Sequence, residues 1–182
     1  MRSMPRRTVI SDASGSWGCG AFCDSGAWFQ LPWGGAWESV HITCKELLPI
    51  VVACAVWGRA VQGGVIRCRT DNAAVVLIVN KGQSKNELAM HLMRCLAFFA
   101  ATLQIVVRAE HVPGWDNAAA DAFSRDKLAL FRLQVPSAAE RSFHKNWSPC
   151  WYTLVRTAPC RSGEVCSTLL YKEFSTVYSS NL

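Results

Sequence analysis

The chain has 182 residues, 51% of them hydrophobic and 18% charged, and a formal net charge of +6. That length suits one domain with room for an appendage, and it can bury a sizeable core. The modest basic excess fits a polyanionic partner without requiring one, while the longest apolar stretch, 47–57, is too short for the roughly 20 residues of a membrane-spanning helix.

The start, MRSMPRR, is basic but leads directly to Ser11-Asp12 and not to an apolar segment, so it does not read as a signal peptide. Residues 8–13 (TVISDA) suggest a short strand ending on an acidic residue, and Ser14-Gly15-Ser16 a turn. Residues 17–23 (WGCGAFC) resume as a strand, Asp24-Ser25-Gly26 turns again, and 27–31 (AWFQL) form a third. Three apolar runs joined by tight Gly/Ser turns predict an antiparallel meander. Thr43-x-x-Glu46 has the spacing of a helix capping box and opens LLPIVVACAVWGRAV, with Pro49 near the first turn and Gly63-Gly64 as the stop. Residues 65–70 (VIRCRT) read as a strand running into Asp71-Asn72 and a short helix, AAVVLIVN. After the loop at Lys81, Ser84-x-x-Glu87 offers a second capping box. It precedes a long helix in which Leu88, Leu92, Cys95, Leu96, Phe99 and Leu103 recur at helical spacing. A fifth strand over 105–109, a loop over 110–115 and a last helix through AAADAFSR complete the pattern.

The predicted order, β-β-β-α-β-α-α-β-α, implies an α/β domain with a mixed sheet over 8–126. Residues 1–7 are expected to be a disordered start. Residues 127–182 read as an irregular basic tail, disordered or the remnant of a following domain, with 7 Lys/Arg against 3 Asp/Glu. The nine cysteines form no CxxC pair and no zinc-finger cluster, so buried free thiols in a reducing compartment are expected. Together these features predict an intracellular protein, cytoplasmic or nuclear, and not a secreted one.

Among only 13 acidic residues, Asp12 ends the first predicted strand, Asp71 ends the fourth, and Glu46 begins the first helix. In α/β sheets the ends of adjacent strands converge on one edge, where sites are built. A fourth carboxylate, Asp121, lies on the helix returning to that edge. Each has an ordinary reading as well: Glu46 in a capping box, Asp71 as an N-cap, Asp12 in a turn, Asp121 at a helix dipole. Brought together, two like charges about 4 Å apart repel by about 4 kcal/mol at an effective dielectric of 20. Such a cluster needs cations or protons, and an all-oxygen ligand set favours Mg²⁺.

The segments ISDASGSWGCGAF, TCKEL, RTDNAAV and EHVPGWDNAAADAFSR, in this order, resemble the ribonuclease H domain of retroelement reverse transcriptases. The last contains His-x-Pro-Gly-x-x-Asn-x-x-Ala-Asp-x-x-Ser-Arg, and the wording is most similar to tyrosine-recombinase (DIRS-type) retrotransposons. The resemblance spans about residues 8–125. It implies a ribonuclease H-like fold: a five-stranded mixed sheet, three antiparallel strands then two parallel, with helices on both faces. It also implies cleavage of the RNA strand of RNA·DNA hybrids, with Asp12, Glu46, Asp71 and Asp121 holding two Mg²⁺ or Mn²⁺ ions. His111 corresponds to the family's loop histidine, which assists proton transfer or product release.

Candidate substrate contacts are Ser14, Gly15 and Ser16 beside Asp12, Asn72 after Asp71, Asn117 in the histidine loop, and Lys81 and Lys85 between the middle helices. The short loop over 80–86 leaves no space for the basic handle helix of free-standing bacterial enzymes, so substrate affinity is expected to depend on an attached reverse transcriptase polymerase domain. The chain has no Tyr-x-Asp-Asp polymerase motif; it reads as a fragment of a larger element or a degenerate copy, with weak activity alone. The alternatives are a DNA-directed nuclease of the same superfamily, or a catalytically silent nucleic-acid-binding domain of a decayed element.

Overall fold

Tight turns at 14–17 and 24–27 join β1 (Arg6–Ala13), β2 (Gly18–Cys23) and β3 (Trp28–Pro32) into the expected antiparallel meander. The computed structural model describes residues 4–138. β4 (Val65–Thr70) and β5 (Val106–His111) add in parallel on the other side of β1, giving a five-stranded sheet of order β3-β2-β1-β4-β5.

Alternation along the strands sorts the side chains between two faces. Val9, Cys19, Ala21, Phe29, Leu31, Ile66, Cys68 and Ala109 point into the main core, against α1 (Ile42–Trp57), α2 (Ala73–Lys81) and α3 (Glu87–Leu103). α1 lies between the sheet and α3, so almost every side of it is buried, which suits its apolar composition. The opposite face of β1–β3 is covered by α4 (Ala118–Ser124) and α5 (Leu128–Gln134). There Trp28, Phe123 and Phe131 form a second apolar cluster, with Phe123 and Phe131 centroids 4.5 Å apart. Gly20 lets α4 come this close: a Cβ at that position would stand 2.4 Å from the Phe123 ring.

Several local expectations change in the folded chain. Arg6 and Arg7 are not part of a disordered start. They belong to β1, opposite Val65 and Ile66, and Arg7 donates to Asp24 at 2.9 Å. Residues 127–134 are not irregular either, because Phe131 needs a helix to reach the pocket between Phe123, Trp28 and Phe22. The remainder of the expected tail, 139–182, lies outside the described residues. The Thr43–Glu46 capping box does not form; His41 caps α1, its Nδ1 accepting from the Thr43 amide at 3.2 Å. Pro49 sits two turns into α1 and not at its start, and the helix ends at Trp57, continued by a 3₁₀ turn. α3 is capped by Asn86, whose Oδ1 accepts from the Ala89 amide at 2.9 Å, and not by Ser84.

α2 is fastened to the sheet edge by Asn80, whose side-chain amide donates to the Ala109 carbonyl and accepts from the Ala109 amide. The six described cysteines are buried and free, as expected. No described helix is long and apolar enough to cross a membrane.

Candidate active site

β1 and β4 run parallel with Ile10 opposite Arg69. Continuing that register by two residues sets Asp12 beside Asp71 at the carboxyl ends of the two strands. The second turn of α1 delivers Glu46 to the same edge. One carboxylate oxygen from each of Asp12, Glu46 and Asp71 lies within 4.8 Å of the other two. Asp12 and Glu46 are each 5% exposed, whereas Asp71 opens to solvent. The site is therefore a carboxylate cluster with a buried floor and one open side.

Its electrostatics follow from that geometry. Burial, opposed by a hydrogen bond from Ser124 and reinforced by Asp71 and Asp121, pushes the Asp12 carboxyl up to about 6. Burial, then the charges of Asp12 and Asp71, push Glu46 up to about 9, against a partly compensating backbone hydrogen bond at Ala13. Glu46 Oε2 is buried and has no hydrogen-bond partner. A buried carboxylate oxygen without a donor is costly, and a hard divalent cation answers both the orphaned oxygen and the clustered charge. The residues present thus fit an oxygen-coordinated metal ion.

The remaining expected residues are placed differently from one another. Asp121 does not join the three-carboxylate cluster. Its Oδ1 accepts from Arg125 Nε at 2.6 Å on the adjacent helical turn, and the side chain is half exposed on the rim. His111 ends β5, in register with Thr70, and is not a loop residue; Nε2 lies 3.1 Å from the Asp71 carbonyl oxygen.

Asn117, expected to meet substrate, is fully buried and donates from Nδ2 to Asp12 Oδ1 at 3.1 Å. It orients a carboxylate instead. Ser14 is likewise turned inward: its hydroxyl oxygen accepts from the Trp17 and Gly18 amides and stabilises the turn between β1 and β2. Gly15 and Ser16 are exposed on that turn, with open space beside Gly15. Asn72 caps α2, its Oδ1 accepting from the Ala74 and Val75 amides. Lys81 and Lys85 are exposed, at the end of α2 and in the turn before α3.

Three contributors were not singled out in the sequence. Ser124 Oγ donates to Asp12 Oδ2 at 2.5 Å, so both oxygens of Asp12 are engaged from the α4 side. Its signal was the Ser-Arg pair closing the last motif. Lys45 is 2% exposed; its ammonium donates to the Gly15 carbonyl at 2.6 Å and sits 5.7 Å from the Trp33 ring centroid. It ties the turn after Asp12 to the helix that carries Glu46, and nothing in its sequence context distinguishes it from a solvated lysine. Trp115 is 80% exposed on the 3₁₀ turn Gly114–Asn117. That turn borders the cluster, since a Cβ on Gly114 would lie 3.8 Å from Asp71 Oδ2.

No known protein-family model matches this chain, and no curated protein matches it in sequence. Solved structures do match. RNase H1 from the halophilic archaeon Halobacterium salinarum NRC-1 superposes with a TM-score of 0.53 at 15% identity, over 69% of this chain and 98% of that one. The N-terminal RNase H domain of Rv2228c from Mycobacterium tuberculosis gives 0.55 at 15% identity, over 71% and 98%. LC11-RNase H1 in complex with RNA/DNA hybrid gives 0.50 at 14% identity, over 68% and 99%. The chain has the ribonuclease H-like fold, with the expected mixed sheet and helices.

Proposed function

We propose that this chain is a divalent-metal-dependent endonuclease that hydrolyses the RNA strand of RNA·DNA hybrids, and that it derives from a retroelement reverse transcriptase. The observation that carries this reading is the convergence of Asp12, Glu46 and Asp71 within 4.8 Å, together with a buried Glu46 oxygen that has no hydrogen-bond partner. The fold shared with ribonucleases H, one of them solved on an RNA/DNA hybrid, supports it. So does the motif order ending in His111, Asn117 and Asp121, which is also the basis for the retroelement origin and for a polymerase partner.

In this reading Asp12, Glu46 and Asp71 hold Mg²⁺, or Mn²⁺, as a two-ion centre, with Asp121 completing the site from the rim. Such ions lower the pKa of a bound water and stabilise developing charge on the leaving oxygen. The chain's own residues prepare that chemistry. Asn117 and Ser124 fix both oxygens of Asp12, so the carboxylate presents a single orientation. Lys45 holds the exposed Gly15-Ser16 turn beside Asp12, where its backbone can follow the RNA strand and its 2′-hydroxyls. His111, exposed and anchored at the Asp71 carbonyl, is positioned to carry a proton between the site and solvent.

The test is Mg²⁺-dependent cleavage of a labelled hybrid by the full chain, with Asp71→Asn as control. Cleavage of the RNA strand that needs metal and is lost in the variant is expected. Cleavage confined to DNA substrates would move the assignment to a DNA-directed nuclease. A folded protein that binds hybrid without cutting it would leave a silent binding domain.

A further inference from the structure

The sheet is covered unequally on the face that carries Asp12. α4 and α5 shield β1–β3, but among the described residues no helix packs over the same face of β4 and β5. The side chains presented there follow from strand alternation. In β4, Ile66, Cys68 and Thr70 are buried toward the α1 side, so Arg67 and Arg69 point the other way. In β5, Ala109 is buried toward α1, and Val106, Arg108 and Glu110 are exposed opposite.

Three arginines therefore share this open face with Glu110, and the face ends at Asp71 of the carboxylate cluster. Arg67 meets Glu110 at 3.7 Å, with both side chains 47% exposed. Among the described residues neither Arg69 nor Arg108 forms an ion pair. Arg67 and Arg108 are direct register partners on neighbouring parallel strands. Like charges placed opposite one another destabilise a sheet, so this arrangement costs the free protein stability that an anionic ligand would restore. The location indicates which anion. Same-face residues of a strand are about 6.6 Å apart, so Arg67, Arg69 and Asp71 form a line of about 13 Å that ends at the carboxylate cluster.

We infer that the Arg67–Arg69–Arg108 face is a phosphate-binding tract that grips the backbone of the nucleic acid whose scissile strand lies at Asp71. This rests on the nuclease reading above and adds to it a second point of attachment, in a chain that lacks a basic helix between α2 and α3. A nucleic-acid backbone is favoured over the chain's own distal segment on charge: residues 139–182 carry 5 Lys/Arg and 3 Asp/Glu, the same sign as the arginines.

The experiment measures KM, kcat and the salt dependence of kcat/KM on a labelled RNA·DNA hybrid of about 20 base pairs. It compares the full chain with Arg67→Gln, Arg69→Gln, Arg108→Gln, the triple variant, and Arg94→Gln on α3 as a charge-matched control. Each lost phosphate contact lowers the log–log salt slope by about 0.7–0.9, so the triple variant is expected to lose about 2–3 slope units. Its KM should rise at least tenfold with kcat unchanged, while Arg94→Gln keeps the wild-type slope. An unchanged slope and KM in the triple variant overturns the tract, as does a fall in kcat at constant KM. If the triple variant fails to fold, the three single variants decide in the same way. A wild-type chain that neither binds nor cuts the hybrid overturns the nuclease reading, and the tract with it.

Discussion

Ser124 and Asp12 stand 112 positions apart in the chain, yet the serine hydroxyl donates to Asp12 Oδ2 at 2.5 Å. With Asn117 on the other oxygen, a buried carboxylate at the end of β1 is oriented from α4 and from the 3₁₀ turn that leads into it. The packing of that turn and short helix decides how the central acidic group presents itself.

Ser124→Ala should therefore weaken metal binding without removing a ligand. The hydroxyl holds the Asp12 carboxyl lower than burial alone would, so its loss raises that group further and makes protons better competitors for the site. Groups supporting a metal ligand typically contribute 10–100-fold to affinity or activity. An increase of about that size in the half-saturating Mg²⁺ concentration is expected, largest below pH 7. An unaltered Mg²⁺ titration at pH 6 would show that the hydrogen bond has no such role.

The metal-free chain should lose stability as pH rises. Asp12 is shifted from 3.8 to about 6 and Glu46 from 4.5 to about 9, so the folded state binds protons more tightly than the unfolded one. For a carboxyl raised in the folded state, its contribution is complete below pH 4 and is withdrawn as pH climbs through the folded value. Thermal midpoints measured with EDTA should decline between pH 5 and pH 9, and saturating Mg²⁺ should remove most of that decline. A midpoint flat across this range with EDTA would contradict the burial of these two groups.

Arg125→Ala should act in the opposite direction from Ser124→Ala. Arg125 occupies Asp121 Oδ1 at 2.6 Å on the rim of the site, and its removal frees that carboxylate for a cation. The pair is exposed, so it is worth at most about 1 kcal/mol, and the Mg²⁺ requirement should fall by up to about fivefold. Isothermal titration with Mg²⁺ checks this; weaker binding in the variant would place Asp121 outside the metal site.

Phe131→Ala should destabilise the domain by about 3–5 kcal/mol, the usual cost of emptying a buried aromatic site. Phe131 is fully buried against Phe123, Trp28 and Phe22. Because Phe123 also seats α4, activity should decline together with stability. Urea denaturation reads the change directly, and a loss below about 1 kcal/mol would mean that α5 is peripheral.

The meander, the strand–helix alternation and the order of the acidic motifs were legible from local features. Turn residues, apolar spacing and strand-ending acids act over a few positions, and each is written in contiguous sequence. Their boundaries were less so. His111 read as a loop residue until pairing with β4 extended β5 through it. Residues 127–134 read as irregular because a two-turn helix with one buried face, held mainly by Phe131, has too little periodicity to register.

The residue types from which a metal site could be built, and the elements that carry them, are thus properties of the chain read in order. Which of those residues meet is not. Parallel pairing of β1 with β4 brought Asp12 to Asp71, and the seating of α4 on Gly20 turned Asn117 and Ser124 toward Asp12. Asp121 was left on the rim with Arg125. Those outcomes depend on contacts between segments tens of residues apart. Burial and distance set the charge state of a carboxylate, and neither quantity exists until the sheet and helices have packed.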